Sequence, residues 1–307
     1  MRKNENAAML YETLLRLCKG KEELAYEYYS RIAIHASIDA TLPEIVNAAS
    51  EVTGESTFTI SEHYYKVRNQ FATYKFDYFI LSENDASWPK GFKNSGFHFL
   101  YGAGDITLLE KKVLAITGMR LPSDEGKKAA ATAAKEAFAS LYAVASTLDY
   151  GIDSYSLMYA LNERIPVIAL LASPLHQCVP ESQKELMVSI ANNGGLLLTP
   201  FAPCQKAEKW FNVPRNRALV ALSDALAVAE EKDGGPSWRL ASLVKEKGDV
   251  VFVFKSSLEN DSYTYAKRFS SEENVHIWSK SGDIKRVLSE KKIRRKKKNN
   301  EEQLELF

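Results

Sequence analysis

The chain has 307 residues, 45% hydrophobic and 26% charged, an ordinary globular composition with room for one large domain or two ordinary ones. No apolar run approaches the roughly 20 residues that span a bilayer, and Met1 to Asn6 leads into a charged amphipathic stretch, not a signal-peptide core. Net charge is +1, but residues 291–307 hold seven Lys or Arg against three Glu, hence +4 there and −3 on the rest, so any nucleic-acid binding must rest on a local patch.

Residues 5 to 75 read as mainly helical. Leu10, Leu14, Leu15 and Leu17 keep a helical period, as do Leu24, Tyr28 and Ile32. Thr41-Leu-Pro-Glu44 has the capping-box pattern with Pro43 in the first turn, and Gly54 ends that helix. Tyr64, Tyr65, Phe71, Tyr74, Phe76, Tyr78 and Phe79 offer rings that stack on bases, but at this spacing they are expected in the core. Phe76 to Leu81 reads as a strand, Trp88 to Gly91 as a turn, and Phe97 to Asp105 as a strand entering a glycine turn. Gly102 and Gly104 lack the third glycine of a dinucleotide loop and do not open a helix, so that signal is weak.

From Lys111 strands and helices alternate. The predicted strands are Lys111 to Thr117, Tyr142 to Ala145, Ile165 to Leu171, Leu196 to Leu198, Ala225 to Ala229, Asp249 to Phe254 and Val275 to Trp278. Between them lie an alanine-rich helix to about Leu141 that Asp124 can cap, then helices at Ile152 to Asn162, Glu181 to Asn193 and Pro236 to Lys247. The helix after Phe211 starts with Pro214, whose missing N–H suits a first turn. Arg215, Asn216 and Arg217 crowd that turn, where cations oppose the macrodipole. They are either held for an anion or solvated and salt-bridged.

Apolar strands alternating with helices imply a parallel sheet covered on both faces. The expected fold is α/β, an extended Rossmann-like, doubly wound, mostly parallel sheet preceded by a helical N-terminal region. Ligands of such sheets sit at the carboxyl ends of the strands. Gly118 and Arg120, Ser146 to Asp153, Ser173-Pro174, Thr199 to Arg217 and Glu230 to Gly235 fall there, which implies a continuous cleft with arginines in it. Asp153 either pairs with Glu230 or Glu231 for acid–base work or caps the following helix, and capping is the preferred reading.

These stretches resemble the DNA-processing protein A (DprA/Smf-like) family over about residues 76 to 255. The resemblance is carried by Trp88-Pro-Lys, Leu100-Tyr-Gly-Ala-Gly-Asp105, Leu114-Ala-Ile-Thr-Gly-Met-Arg120, Val144-Ala-Ser146 with Gly151-Ile-Asp153, Ala160-Leu161, Leu197-Leu-Thr-Pro-Phe201 and Phe211-Asn-Val-Pro-Arg-Asn-Arg217. It implies single-stranded DNA binding, with Gly118, Arg120, Ser146, Gly151, Asp153, Arg215, Asn216 and Arg217 at the nucleic-acid or phosphate site. It also implies a RecA-like recombinase as a partner and, since family members dimerise, a homodimer. The chain departs from the family where Thr147-Leu148-Asp149-Tyr150 replaces a glycine and small residues, where Leu157 stands in place of a histidine, at Thr199-Pro200 and at Gly234 to Ser237.

No P-loop and no Gly-x-Ser-x-Gly elbow occur, and His35, His63, His98, His176 and His276 have no metal spacing. Cys18, Cys178 and Cys204 have neither disulfide nor metal spacing, which points to a reducing cytoplasm. A non-enzymatic binding protein with no cofactor and no membrane partner is therefore expected. The alternatives are a Rossmann-fold sensor or enzyme for a nucleotide-like small molecule, and a structural adaptor. The expected division is 1–75 helical, 76–280 Rossmann domain and 281–307 a basic, disordered tail. The terminal Gln303-Leu-Glu-Leu-Phe307 resembles the motif by which bacterial replication and repair proteins engage the sliding clamp. That resemblance implies clamp binding through Gln303, Leu304, Leu306 and Phe307, against the alternative of a final segment docked on the body.

Overall fold

The computed structural model describes residues 2–35, 41–74, 76–259 and 264–290. The chain opens with four helices: α1 (Glu5–Leu17), α2 (Glu22–His35), α3 (Leu42–Thr53) and α4 (Thr57–Ala72). The capping box at α3 forms, with the Glu44 carboxylate accepting from the Thr41 amide at 2.6 Å, and Gly54 closes the helix at φ 75. The predicted core aromatics divide: Tyr64, Phe71, Tyr74 and Tyr78 are buried, whereas Tyr65 and Phe76 are 47% and 37% exposed.

A nine-stranded sheet follows. Its strands are β1 (Phe79–Ser82), β2 (Phe99–Gly104), β3 (Lys112–Thr117), β4 (Tyr142–Thr147), β5 (Val167–Leu170), β6 (Leu196–Thr199), β7 (Ala225–Val228), β8 (Val250–Phe254) and β9 (Val275–Trp278). Their spatial order is β1-β2-β6-β5-β4-β3-β7-β8-β9. The pairs β1–β2 and β2–β6 are antiparallel and all others parallel. The expected mostly parallel, doubly wound α/β fold is therefore present. The chain winds outward from β3 to β6, then crosses back to lay β7 on the other side of β3. The carboxyl ends of β3 and β7, paired in register at Thr117 and Val228, flank this switch point.

On one face α5 (Asp124–Ala139), α6 (Ile152–Asn162) and α7 (Lys184–Asn192) share a core with the N-terminal helices. Ala129, Ala130, Ala133, Ala134 and Ala137 bring α5 close to the sheet without breaking its helicity. The other face carries α8 (Asn212–Leu222) and α9 (Ser237–Glu246), then, beyond the short α10 (Ser256–Glu259), α11 (Thr264–Phe269). Residues 283–290 are also helical, bury Ile284, Val287 and Leu288, and tie the Lys285 amide to the Glu136 carboxylate at 3.0 Å.

Three local expectations are corrected. Gly102 and Gly104 lie inside β2, not in a turn. A Cβ on Gly102 would come within 2.2 Å of the Phe79 ring and one on Gly104 within 2.1 Å of the Gly195 carbonyl, so close packing demands both glycines. The cap of α5 is Ser123, whose hydroxyl accepts from the Gly126 amide at 3.1 Å; Asp124 is the first helical residue. Pro214 is the third residue of α8, so Arg215 and Arg217 begin its second turn.

Candidate nucleic-acid interface

At the switch point the segments after β3 and β4 and the starts of α6, α8 and α9 form an open pocket of about 170 Å³, lined by Thr117, Gly118, Arg120, Asp149, Tyr150, Asp153, Asn212, Arg215, Asn216, Pro236, Ser237 and Leu240. Its floor is Asp153. Gly151, at φ 83, precedes α6 and lets the chain turn there, because a Cβ would meet the Met119 carbonyl at 2.3 Å. Asp153 does not cap its own helix, contrary to the preferred sequence reading. Its carboxylate instead accepts from Thr117 Oγ1 at 2.9 Å, Thr147 Oγ1 at 2.5 Å and the Gly118 amide at 3.3 Å. It thereby ties the ends of β3 and β4 to the α6 start. Burial pushes its pKa up to about 6, against the hydrogen bond from Thr147 and the charge of Arg215.

Arg215 forms one wall and is only 5% exposed. Its Nε donates to Asn216 Oδ1 at 3.0 Å, and among the described residues its terminal nitrogens meet no hydrogen-bond acceptor. Burial lowers its pKa and the nearby Asp153 and Asp149 oppose that shift, but a guanidinium stays protonated in either case. Arg120 stands at the rim with 64% of its side chain exposed, its Nη2 2.9 Å from Asp149 Oδ2. The backbone beneath it is clamped: the Met119 amide donates to the Glu230 carbonyl at 2.7 Å and the Ile152 amide to the Met119 carbonyl at 3.2 Å.

Other predicted site residues are placed differently. Ser146 has no exposed surface, and its hydroxyl donates to the Ile116 carbonyl at 2.6 Å, so it links β4 to β3 and does not face the pocket. Gly118 lines the pocket, but the need for glycine is internal, since a Cβ would sit 2.6 Å from both the Glu230 carbonyl oxygen and the Ile152 side chain. Arg217 leaves the cleft. It donates to the Ser95 carbonyl at 2.9 Å, lies over the Phe97 ring at 5.5 Å and is absent from the pocket lining.

Neither glutamate pairs with Asp153. Glu230 accepts from the Ser123 amide and hydroxyl at 2.8 and 3.1 Å, and buried Glu231 from the Ser237 hydroxyl at 2.7 Å. Sequence reasoning missed the threonines Thr117 and Thr147. Their position as the last residues of two neighbouring parallel strands was the available signal.

On the far side of the α8 start lies a second cavity of about 360 Å³, walled by Phe201, Phe211 and Trp210 against α1 and β2. Phe201 and Phe211 stack at 3.8 Å between centroids, and Trp210 meets Phe211 edge-on while remaining 59% exposed. Among the described residues no group of three His, Cys, Asp or Glu is placed to hold a metal ion. No helix there is long and apolar enough to cross a membrane.

A doubly wound α/β sheet with a largely buried arginine lining the pocket at its switch point defines a Rossmann-like protein. Residues 79–287 match the model of the DNA recombination-mediator protein A family, and the chain belongs to that family. It is 28% identical over 195 residues to DNA processing protein DprA of Bacillus subtilis, covering 63% of this chain and 65% of the relative. Against DprA of Streptococcus pneumoniae it is 26% identical, over 60% of this chain and 64% of the relative. These matches span less than two thirds of each relative's length. Among solved structures, DprA of S. pneumoniae superposes with TM-score 0.65 at 21% identity, covering 91% of this chain and 94% of that one. DNA processing protein A of Helicobacter pylori, whose structure addresses a unique single-stranded DNA binding mode, superposes with TM-score 0.62 at 23% identity, covering 71% and 98%.

Proposed function

We propose that this protein binds single-stranded DNA in recombination or repair, with a backbone phosphate held at the switch point by Arg215 and Arg120. The observation that carries the reading is Arg215, a residue only 5% exposed whose forked end lines the pocket and meets no hydrogen-bond acceptor among the described residues. Asp153 and Asp149 offset the charge of Arg215 without hydrogen-bonding its forked end, and a phosphate supplies the bidentate acceptor geometry that the fork fits. Exposed Trp210, five residues before Arg215 and on the rim of the second cavity, offers a stacking surface for a base. The H. pylori relative, described for its single-stranded DNA binding mode, supports the same ligand.

The role proposed is binding: of the two carboxylates in the pocket, Asp153 is engaged with two hydroxyls and an amide, and Asp149 with Arg120 and the Tyr150 amide.

Fluorescence anisotropy with an oligothymidylate tests this. Arg215→Gln, which keeps much of the side-chain volume, should weaken binding at least about tenfold, with a salt slope smaller by about 0.7 for each phosphate no longer neutralised. Arg217→Ala should weaken it far less. A folded Arg215→Gln protein with unchanged affinity would falsify the reading.

Three partner proposals accompany it: a RecA-like recombinase, a second copy of this chain, and a sliding clamp. The clamp proposal rests on Gln303, Leu304, Leu306 and Phe307, which lie outside the described residues. Titration of a peptide spanning 299–307 against a bacterial clamp checks it. No binding, or equal binding once Leu306 and Phe307 are both alanine, rejects it.

A further inference from the structure

The pocket that holds Arg215 also holds two carboxylates. Charged residues in its lining are Arg120, Arg215, Asp149 and Asp153, so opposite charges are equal in number. Asp149 occupies one edge of Arg120 at 2.9 Å. Its position is built: Oδ1 accepts from the Tyr150 amide at 3.0 Å, and its own amide donates to Thr147 Oγ1 at 3.2 Å. The carboxylate is therefore held at the mouth by the turn into α6 and is not a wandering surface charge.

Resting on the phosphate reading above, we infer that Asp149 is a specificity-determining residue, which makes the pocket select a singly charged phosphodiester over a doubly charged phosphate monoester. The argument is charge balance in a confined space. A diester phosphate carries one negative charge, which Arg215 meets, because the Asp153 carboxylate is held by Thr117, Thr147 and the Gly118 amide while Asp149 stays on Arg120. A terminal phosphate brings close to two negative charges near neutral pH, and the second lies within reach of Asp149 and Asp153 with no cation left to meet it. Like charges confined together repel, and the repulsion grows where water is scarce. The site thus rejects by repulsion as well as attracting by fit. Protonation of Asp153 relieves only part of this, because Asp149 remains. The small volume, about 170 Å³, agrees with a lone phosphate group and not a whole nucleotide.

The test uses the full chain, an oligothymidylate lacking terminal phosphates as the diester, and thymidine monophosphate as the monoester competitor. Wild type should bind the oligonucleotide and be displaced poorly by the monophosphate. Asp149→Asn keeps the carbonyl oxygen that the Tyr150 amide needs. It should tighten the monophosphate about tenfold or more, and the oligonucleotide by about threefold or less, because the repelling charge acts more strongly on a dianion. Arg120→Gln in the Asp149→Asn background should reverse that gain, which excludes an effect of altered turn structure. Equal gains for both ligands, or none for either, overturn the selector while leaving oligonucleotide binding by wild type intact. A wild-type protein that binds neither ligand takes down the phosphate reading itself.

Discussion

Glu12 is a carboxylate held in surroundings that disfavour its charge. It lies on α1, 4% exposed, and its carboxylate accepts from the Gln205 amide at 3.1 Å and from the Cys204 thiol at 3.4 Å. Burial raises its pKa to about 7, and those hydrogen bonds only partly offset it. The folded state therefore holds a proton that the unfolded chain releases near 4.5, so stability is full below that value and falls as pH rises toward about 7. Glu12→Gln should flatten this window and melt higher than wild type on the alkaline side of it, by an amount on the order of 2 kcal/mol. Denaturant titrations at a series of pH values check it; parallel pH profiles for the two proteins would reject it. Asp153 adds a weaker decline of the same sign as pH rises toward about 6.

At the scale of elements, the site depends on how tightly strand ends are stitched to helix starts. Ser123 both caps α5 and donates to Glu230 beyond β7. Ser123→Ala should cost about 1 kcal/mol for the cap, with a further cost from the missing Glu230 hydrogen bond, read as a lowered thermal midpoint. Gly118→Val should unfold or strongly destabilise the protein, because a Cβ strikes the Glu230 carbonyl at 2.6 Å. Loss of DNA binding in that variant would then track loss of fold, and a fully stable Gly118→Val would contradict the packing.

Much of this layer was legible in the chain. The bounds of α6 are those the pattern predicts, since Gly151 marks the entry turn and apolar spacing fills the interior. Arg215 was legible as a candidate, but its burial depends on β3, β4 and α6, which are distant in sequence. Arg217 was misplaced for a local reason: residues two apart on a helix point about 200° apart, so neighbouring arginines do not share one pocket. The sequence points to Asp153 as a cap because its partners Thr117 and Thr147 are brought in only by the pairing of β3 with β4.

For the whole molecule, the division between helical N-terminal region and sheet is one of sequence more than of packing. Leu14, Ile32 and Phe71 sit in the same core as Tyr101, Leu114 and Ile116. Polar links cross the boundary too, from Asn4 to the Ile80 carbonyl at 3.0 Å and from Arg16 to the Cys204 carbonyl at 3.0 Å. The expected result is a single calorimetric transition, with Leu14→Ala costing roughly 2–5 kcal/mol and shifting helix and sheet probes together. Two separable transitions would mean that the shared core contributes little. The sequence showed the helices but not this sharing, because the aromatic partners that join the two parts lie far apart along the chain.

The clamped backbone beneath Arg120 has a kinetic consequence. With the Met119 and Ile152 amides both committed, no loop need order when an anion arrives. What adjusts is the exposed Arg120 side chain, and side-chain rotation of that kind takes picoseconds to nanoseconds. Encounter should therefore be limited by diffusion and electrostatic steering, not by a gating step, and substitutions around the pocket should act chiefly on how long the strand stays bound.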